Sequence, residues 1–403
     1  MMAGDNAAPD RANEMTHAEA VARARALAET VRARAAETEA QRRVPEDLIR
    51  DFMKAGLVRL LTPRVFGGYE MSLDTYADAT IEIAKADASV GWCFSFLNVQ
   101  SWVLANFPEA AQRDVWGATP DVALGIVTVP AGQATRVEGG LRISGDWPWA
   151  SGIDHCDWAM LAGIVADETA SQGAPPDLRL FLLPKAEYEI ADTWFVSGLR
   201  GTGSKNVRVK DKIVPEHRTL PFQQLRDGQS PGGAFHKAPM YRLPMMMPMA
   251  AALLVPVLGA ARGAYEHWRT VTRDRYTMYS RESVASLSHQ QIRMAEVSAE
   301  IDAAELFLRR ALDDLRAGGP VPMATRARIR RDYAFAGSLC LRAVERLYNA
   351  SGGAANFESS PLQRYWRDIH AMVVHSGLNL DAAAENFGRM ELGLPLNPKD
   401  PLF

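Results

Sequence analysis

The chain has 403 residues, 47% of them hydrophobic, with a formal net charge of -3. That length predicts a substantial buried core spread over about two or three domains, and the charge leaves no basic face for nucleic acid. Three widely separated cysteines, Cys93, Cys156 and Cys340, speak against a disulfide framework or a cysteine metal site and point to a reducing, cytoplasmic setting. No uninterrupted apolar run reaches the roughly 18 residues of a membrane span, and the first residues lack the basic-then-apolar order of a signal peptide.

Residues 1–15 are small, polar and Pro-containing, which predicts a disordered tail. The stretch 16–43 is rich in Ala, Arg and Glu, with Val21, Leu27 and Val31 on one face, and predicts an amphipathic helix. Pro45 opens a second helix over 46–55, ended by Gly56. After a Pro- and Gly-bearing loop at 62–70, helices are predicted over 74–86 and 89–106, and a short one from Pro108. An N-terminal helical domain over 16–118 results.

From Thr119 the pattern changes to short β-branched and alternating runs, with Glu138-Gly139-Gly140 marking a tight hairpin. A polar loop at 167–176 interrupts them, and the series ends near Pro221, so 119–222 is predicted to be a small β-sandwich or barrel. A linker at 223–240 leads to a C-terminal bundle over 241–403 with long helical segments at 250–276, 288–317, 325–350 and 361–392. In the third segment Ile329, Tyr333, Ala336, Cys340, Ala343 and Leu347 recur at helical spacing, a buried stripe in which Cys340 serves packing.

The stretch S-G-D-W-P-W-A-S-G-I-D-H-C-D-W-A-M-L-A-G, residues 144–163, stands apart. Its tryptophans Trp147, Trp149 and Trp158, with Ser151 and Gly152, supply apolar planes beside a hydroxyl donor, the materials of a flat aromatic ligand's pocket. A Trp-rich sandwich core with a polar turn reads equally well from the same residues. Further on, Ser204 follows Gly198, Gly201 and Gly203 in G-L-R-G-T-G-S-K, a spacing that is neither of the common nucleotide-binding glycine motifs.

The order helices, small β domain, helix bundle accompanies three segments: R-I-S-G-D-W-P-W-A-S-G-I-D-H-C-D-W, G-L-R-G-T-G-S-K-N-V-R-V-K-D-K-I-V-P-E-H-R and Y-N-A-S-G-G-A-A-N-F-E-S-S-P-L-Q-R-Y-W-R-D-I-H-A-M-V-V-H. In these the chain, over roughly residues 20–393, resembles the α+β acyl-CoA dehydrogenase fold. Within that fold it resembles the two-component flavin-dependent monooxygenases, whose oxygenase components hydroxylate 4-hydroxyphenylacetate and related aromatics. Dehydrogenases commonly carry a catalytic Glu after the R-D of the last segment, where this chain has Ser376, preceded by His375. A Ser is no base of matched pKa without a partner. An acyl-CoA dehydrogenase with a displaced base, or a non-catalytic binding member of the fold, stand as the alternatives.

The resemblance implies reduced FMN or FAD and O2 as cosubstrates, with no metal, and a flavin C4a-hydroperoxide that attacks a small aromatic, phenolic or indole-like. With no nicotinamide motif in the chain, it implies a separate NAD(P)H:flavin reductase as partner, and relatives imply a homotetramer. Ser151 is placed beside flavin N5, with Gly152, Trp147, Trp149 and Ser204 around the ring, and His375 near its C4a edge. About 100° per residue would set His370 roughly 140° from His375 on a straight helix, which disfavours a shared metal. Trp92, Gln100, Met246 and His370 are the expected substrate pocket, Gln100 standing where some relatives carry a phenol-polarising His. The Met-rich run reads equally as a buried helix start. Arg281 corresponds to a dehydrogenase Arg that reaches a neighbouring subunit's flavin.

Overall fold

The computed structural model describes residues 15–166, 176–397 and 400. The expected tail, apart from Met15, and the polar loop at 167–176, apart from Pro176, lie outside them. Met15 itself packs into the core.

The chain opens with α1 (His17–Ala33), α2 (Ala35–Gln41), α3 (Glu46–Lys54), α4 (Leu73–Ala86), α5 (Ala88–Leu104) and α6 (Glu109–Trp116). The single helix expected over 16–43 is divided at Arg34, which leaves helical geometry. Its buried face is Ala20, Ala24, Ala28 and Val31, while Val21 and Leu27 are only partly covered. Small side chains at i, i+4 and i+8 let α1 lie close on the neighbouring helix, which the larger residues would hold off. Every residue of α5 is buried, so this helix is the axis of the molecule. Its start is fixed by Asp87, whose carboxylate accepts the Val90 amide at 2.9 Å.

The β domain comprises β1 (Leu124–Val137), β2 (Gly140–Ala150), β3 (Trp158–Val165), β4 (Asp177–Pro184), β5 (Glu189–Ala191), β6 (Lys205–Val214) and β7 (Thr219–Pro221). The hairpin at 138–140 forms with Val137 opposite Gly140. Among the described residues all strands belong to one sheet of seven, in the order β5-β6-β2-β1-β3-β4-β7, with β1 and β3 parallel. The sheet is curled on itself: Ala159, Leu161, Phe181 and Leu183 share an apolar cluster with Leu141, Trp147, Val207 and Val209. The alternate residues Met160, Ala162, Leu180 and Leu182 face the helices instead. Two-residue periodicity thus buries both faces of β3 and β4.

The expected linker contains two short helices, α7 (Phe222–Asp227) and α8 (Pro231–Phe235). The bundle follows as α9 (Met246–Asp274), α10 (Ser288–Leu315), α11 (Met323–Ala350), α12 (Pro361–Val373) and α13 (Leu380–Glu391). Helix α9 is the one described helix long and apolar enough to cross a bilayer, but 89% of its apolar window is buried among the other helices. Pro256 inside it cannot donate to the Ala252 carbonyl, and Ser95 Oγ of α5 supplies that bond at 2.7 Å. The stripe of α11, Cys340 included, is buried throughout.

The last helix expected, 361–392, is two. After α12 the chain turns at His375, whose Nδ1 accepts the Gly377 amide, and Asn379 then caps α13 through Ala382 N. His375 therefore stands on a turn, and the straight-helix angle between it and His370 does not apply.

Candidate active site

After an earlier shift between Ile143 and Gly145, strand β2 pairs in register with β6 from Gly145 opposite Val209 to Trp147 opposite Val207, but the next pair is Ala150 opposite Lys205. One extra residue is therefore accommodated as a bulge. Trp149, in the bulge, takes a left-handed backbone (φ 67) and is 64% exposed. A bulky aromatic held in that conformation is a strained position, maintained by its surroundings. Trp147 goes the other way: it is fully buried inside the curled sheet, its indole N–H donating to Ala162 O at 2.6 Å. It is a core residue of the β domain, and the expectation that it borders the pocket is corrected.

Ser151 follows at the rim. Its Oγ accepts the Trp92 indole N–H at 3.0 Å and lies 2.8 Å from Ser204 Oγ. Ser204 Oγ is in turn 2.7 Å from Thr202 Oγ1, and Thr202 Oγ1 is 2.9 Å from Leu199 O. The Gly152 amide donates to Thr202 O at 2.9 Å, so the end of β2 and the 198–204 turn are joined through backbone as well.

That turn is wedged among helices. A Cβ on Gly198 would meet Arg367 O of α12 at 2.1 Å, and one on Gly201 would meet Thr38 Cγ2 at 2.5 Å. The glycines serve close packing against the chain's own helices, where approach to a ligand was expected. The Arg-Asp pair of α12 holds the same turn: Arg367 Nη1 donates to Ser197 O at 2.7 Å and Asp368 Oδ1 accepts the Leu199 amide at 2.6 Å. Burial, followed by the nearby Asp87 carboxylate, raises the Asp368 pKa to about 7. On the far side Lys205 and Asp154 form a largely buried ion pair at 2.8 Å.

Facing Ser151 from α5, the Trp92 ring lies 5.2 Å from Phe96 and 6.0 Å from His375, centroid to centroid. The His375 residue is exposed, yet the protein around its ring desolvates it and pushes its pKa down to about 4. Because Nδ1 accepts the Gly377 amide, the neutral ring carries its proton on Nε2. Gln100, one turn beyond Phe96, is 1% exposed, and neither its amide oxygen nor its nitrogen has a hydrogen-bond partner. Met246 begins α9 in the apolar cluster that also holds Trp92 and Phe96.

Two expected residues stand elsewhere. His370 turns to α11, its Nε2 2.8 Å from Glu345 and its Nδ1 bonded to Trp366 O, so it is not a pocket residue of this cleft. Arg281 lies on an exposed turn past the end of α9. Leu253 of α9 borders Gly377, and from there the helix rises about 30 Å to its end; Arg281 cannot serve the cleft of its own chain. Among the described residues no cluster of three or more His, Cys, Asp or Glu could hold a metal ion. Sequence reasoning missed Thr202, Asp368 and Lys205, although each lies in or beside a quoted motif; the Trp92 to Ser151 contact crosses domains and leaves no local signal.

The architecture is that of the acyl-CoA dehydrogenases: family models described as the acyl-CoA dehydrogenase N-terminal domain and C-terminal domain match residues 14–119 and 251–380. The chain is 38% identical over 376 residues to the flavin-dependent monooxygenase oxygenase subunit HsaA of Rhodococcus jostii, covering 92% of this chain and 97% of that one. It is 35% identical to the FADH(2)-dependent resorcinol hydroxylase oxygenase component of a Rhizobium species, over 96% and 97% of the two chains. The structure of XiaF from a Streptomyces species in complex with FADH2 superposes with a TM-score of 0.86 at 30% identity, covering 94% of this chain and 96% of that one. The chain belongs to the oxygenase components of the two-component flavin-dependent monooxygenases, built on the acyl-CoA dehydrogenase fold. Its reaction is a monooxygenation that depends on reduced flavin.

Proposed function

We propose that the cleft bounded by the end of β2, the 198–204 turn, α5 and the His375 turn holds reduced flavin beside a small aromatic substrate, which is hydroxylated there. The observation that carries this reading is a convergence: Trp92 of the helical domain touches both Ser151 of the sheet and His375 of the bundle. The residues fit a flavin ring. Ser151 offers an oxygen at the rim and Trp149 an exposed aromatic plane, with Ser204 and Gly152 buried behind them. Bound there, reduced flavin supplies the activated oxygen; the protein's share is to place it and keep water out.

Ser151 holds the N5 edge, and neutral His375 presents its Nε2 proton toward the reacting side without adding charge. Trp92, Phe96 and Met246 form the apolar wall for the substrate ring. Gln100 closes the depth of that wall with a buried amide that a phenolic hydroxyl or an indole N–H would satisfy. A flavin reductase delivers the reduced flavin, and we place the reaction in the cytoplasm, in keeping with three buried free cysteines. The chain assembles as a tetramer through its bundle. Exposed Leu306, Val374 and Leu392 support this, and it would bring Arg281 to a neighbour's flavin.

Ser151→Ala tests the site. Losing one bond of about 1 kcal/mol at the ring edge should raise hydrogen peroxide formed per product severalfold, while reduced-flavin affinity changes less. Unchanged coupling would remove Ser151 from this role.

A further inference from the structure

The hydroxyl groups behind Ser151 form a chain whose direction can be worked out. An indole N–H only donates, so Trp92 occupies one lone pair of Ser151 Oγ at 3.0 Å. That leaves Ser151 one proton and one lone pair to divide between Ser204, 2.8 Å away, and the cleft. If Ser151 donates to Ser204, then Ser204 donates to Thr202 at 2.7 Å, and Thr202 donates to Leu199 O at 2.9 Å. Every hydroxyl proton is then used, and Ser151 shows the cleft a lone pair.

The reverse order is also available. Leu199 O already accepts the Trp194 indole N–H at 2.8 Å and the Thr202 amide at 3.1 Å, so it stays satisfied without the Thr202 hydroxyl. Thr202 can turn to donate to Ser204, Ser204 to Ser151, and Ser151 then shows the cleft its O–H. The turn gives up one hydrogen bond, Thr202 to Leu199 O, and leaves the Ser151 proton unused until an acceptor arrives. Thr202 and Ser204 are almost fully buried, so water offers no substitute partner.

We propose that Trp92, Ser151, Ser204 and Thr202 form a reversible hydroxyl relay, resting with the Ser151 lone pair toward the cleft, which selects reduced over oxidised flavin. The inference rests on the reading that flavin binds with N5 beside Ser151. Reduced flavin carries a hydrogen on N5 and meets the resting relay as a donor. Oxidised flavin presents a bare N5 nitrogen, an acceptor, and is held only after the relay turns. Thr202 is accordingly a positioning residue: it touches no flavin but sets which way Ser151 points. The same bias favours release of oxidised flavin after turnover.

The test is the ratio of dissociation constants for oxidised and reduced FMN, or FAD, the reduced form titrated anaerobically. Thr202→Val removes the terminal acceptor at nearly constant shape. Ser204 is then best satisfied by donating to Ser151, which points the Ser151 proton into the cleft. The ratio of oxidised to reduced dissociation constants should fall severalfold to about tenfold, the effect of one neutral hydrogen bond. Thr202→Ser keeps the hydroxyl and should keep the wild-type ratio. Ser204→Ala cuts the relay without touching Thr202 and should lower the ratio as well, and it serves if the valine variant does not fold. Wild-type ratios in the valine and alanine variants would overturn the relay. If Ser151→Ala also leaves both affinities and the peroxide yield unchanged, the placement of flavin itself has failed; if Ser151→Ala alters them, only the relay has.

Discussion

His375 and Gln100 are the two residues whose environments make the sharpest demands. His375 is held near pKa 4 by desolvation, against about 6.5 for a free imidazole. Its folded pKa is depressed, so the stability gained by keeping it neutral is present above about pH 6.5 and is lost as pH falls toward 4. The ring should stay neutral from pH 8 to 5, and histidine resonances followed by NMR should show no His375 titration in that range. A kinetic limb near pH 6.5 that disappears in His375→Gln would contradict this. Gln100 buries an amide without partners, a cost of about 1–3 kcal/mol. Gln100→Leu should therefore raise the melting temperature and at the same time raise the aromatic's KM severalfold. Thermal unfolding and steady-state kinetics on one preparation check both; a variant no more stable and with unchanged KM would show that the amide serves neither purpose.

At the scale of elements, the 198–204 turn and α12 behave as one piece. Gly198→Ala drives a Cβ into Arg367 O, and forcing the two apart should cost about 1–3 kcal/mol and weaken flavin binding with it. Asp368 holds the turn from the other side with a pKa raised to about 7. A raised carboxylate works in the opposite sense to His375: its contribution is full below the unfolded pKa of about 3.9 and is lost as pH rises through 7. Asp368→Asn still accepts the Leu199 amide and carries no charge. Its unfolding midpoint should vary less between pH 5 and 8 than the wild type's, a difference that denaturant titration at several pH values will read.

The same elements show what could be read in advance. Helices α3 to α6, the 138–140 hairpin and the stripe of α11 carry local periodicity and turn chemistry, and they form where the sequence put them. The single helix expected over 361–392 is divided because Gly377 and Asn379, both visible stop and start signals, outweigh the apolar pattern. Trp147 and Trp149 are neighbours of the same type with opposite fates, decided by a one-residue bulge that only pairing with β6 creates. Ser151 and His375 were singled out by resemblance alone, and the fold brings both against Trp92. Thr202 was not, because its importance lies in a chain of hydrogen bonds closed by Trp92, far off in sequence.

For the whole molecule, the proposed cleft lies where helical domain, sheet and bundle touch at Trp92, Ser151 and His375, so the proposed function belongs to the assembled chain. Trp147→Ala, in the heart of the sheet, should cost about 3–5 kcal/mol and lower flavin affinity only through loss of folded protein. Light scattering should give a mass of four chains, and Arg281→Ala should weaken flavin binding without changing that mass. The most direct test of the account is a single turnover of protein loaded with chemically reduced flavin, mixed with 18O2 and a panel of phenols and indoles. The account predicts an aromatic product carrying one labelled oxygen, with hydrogen peroxide rising at its expense in Ser151→Ala. Peroxide alone from every aromatic, together with anaerobic bleaching of bound oxidised flavin by an acyl-CoA, would contradict it.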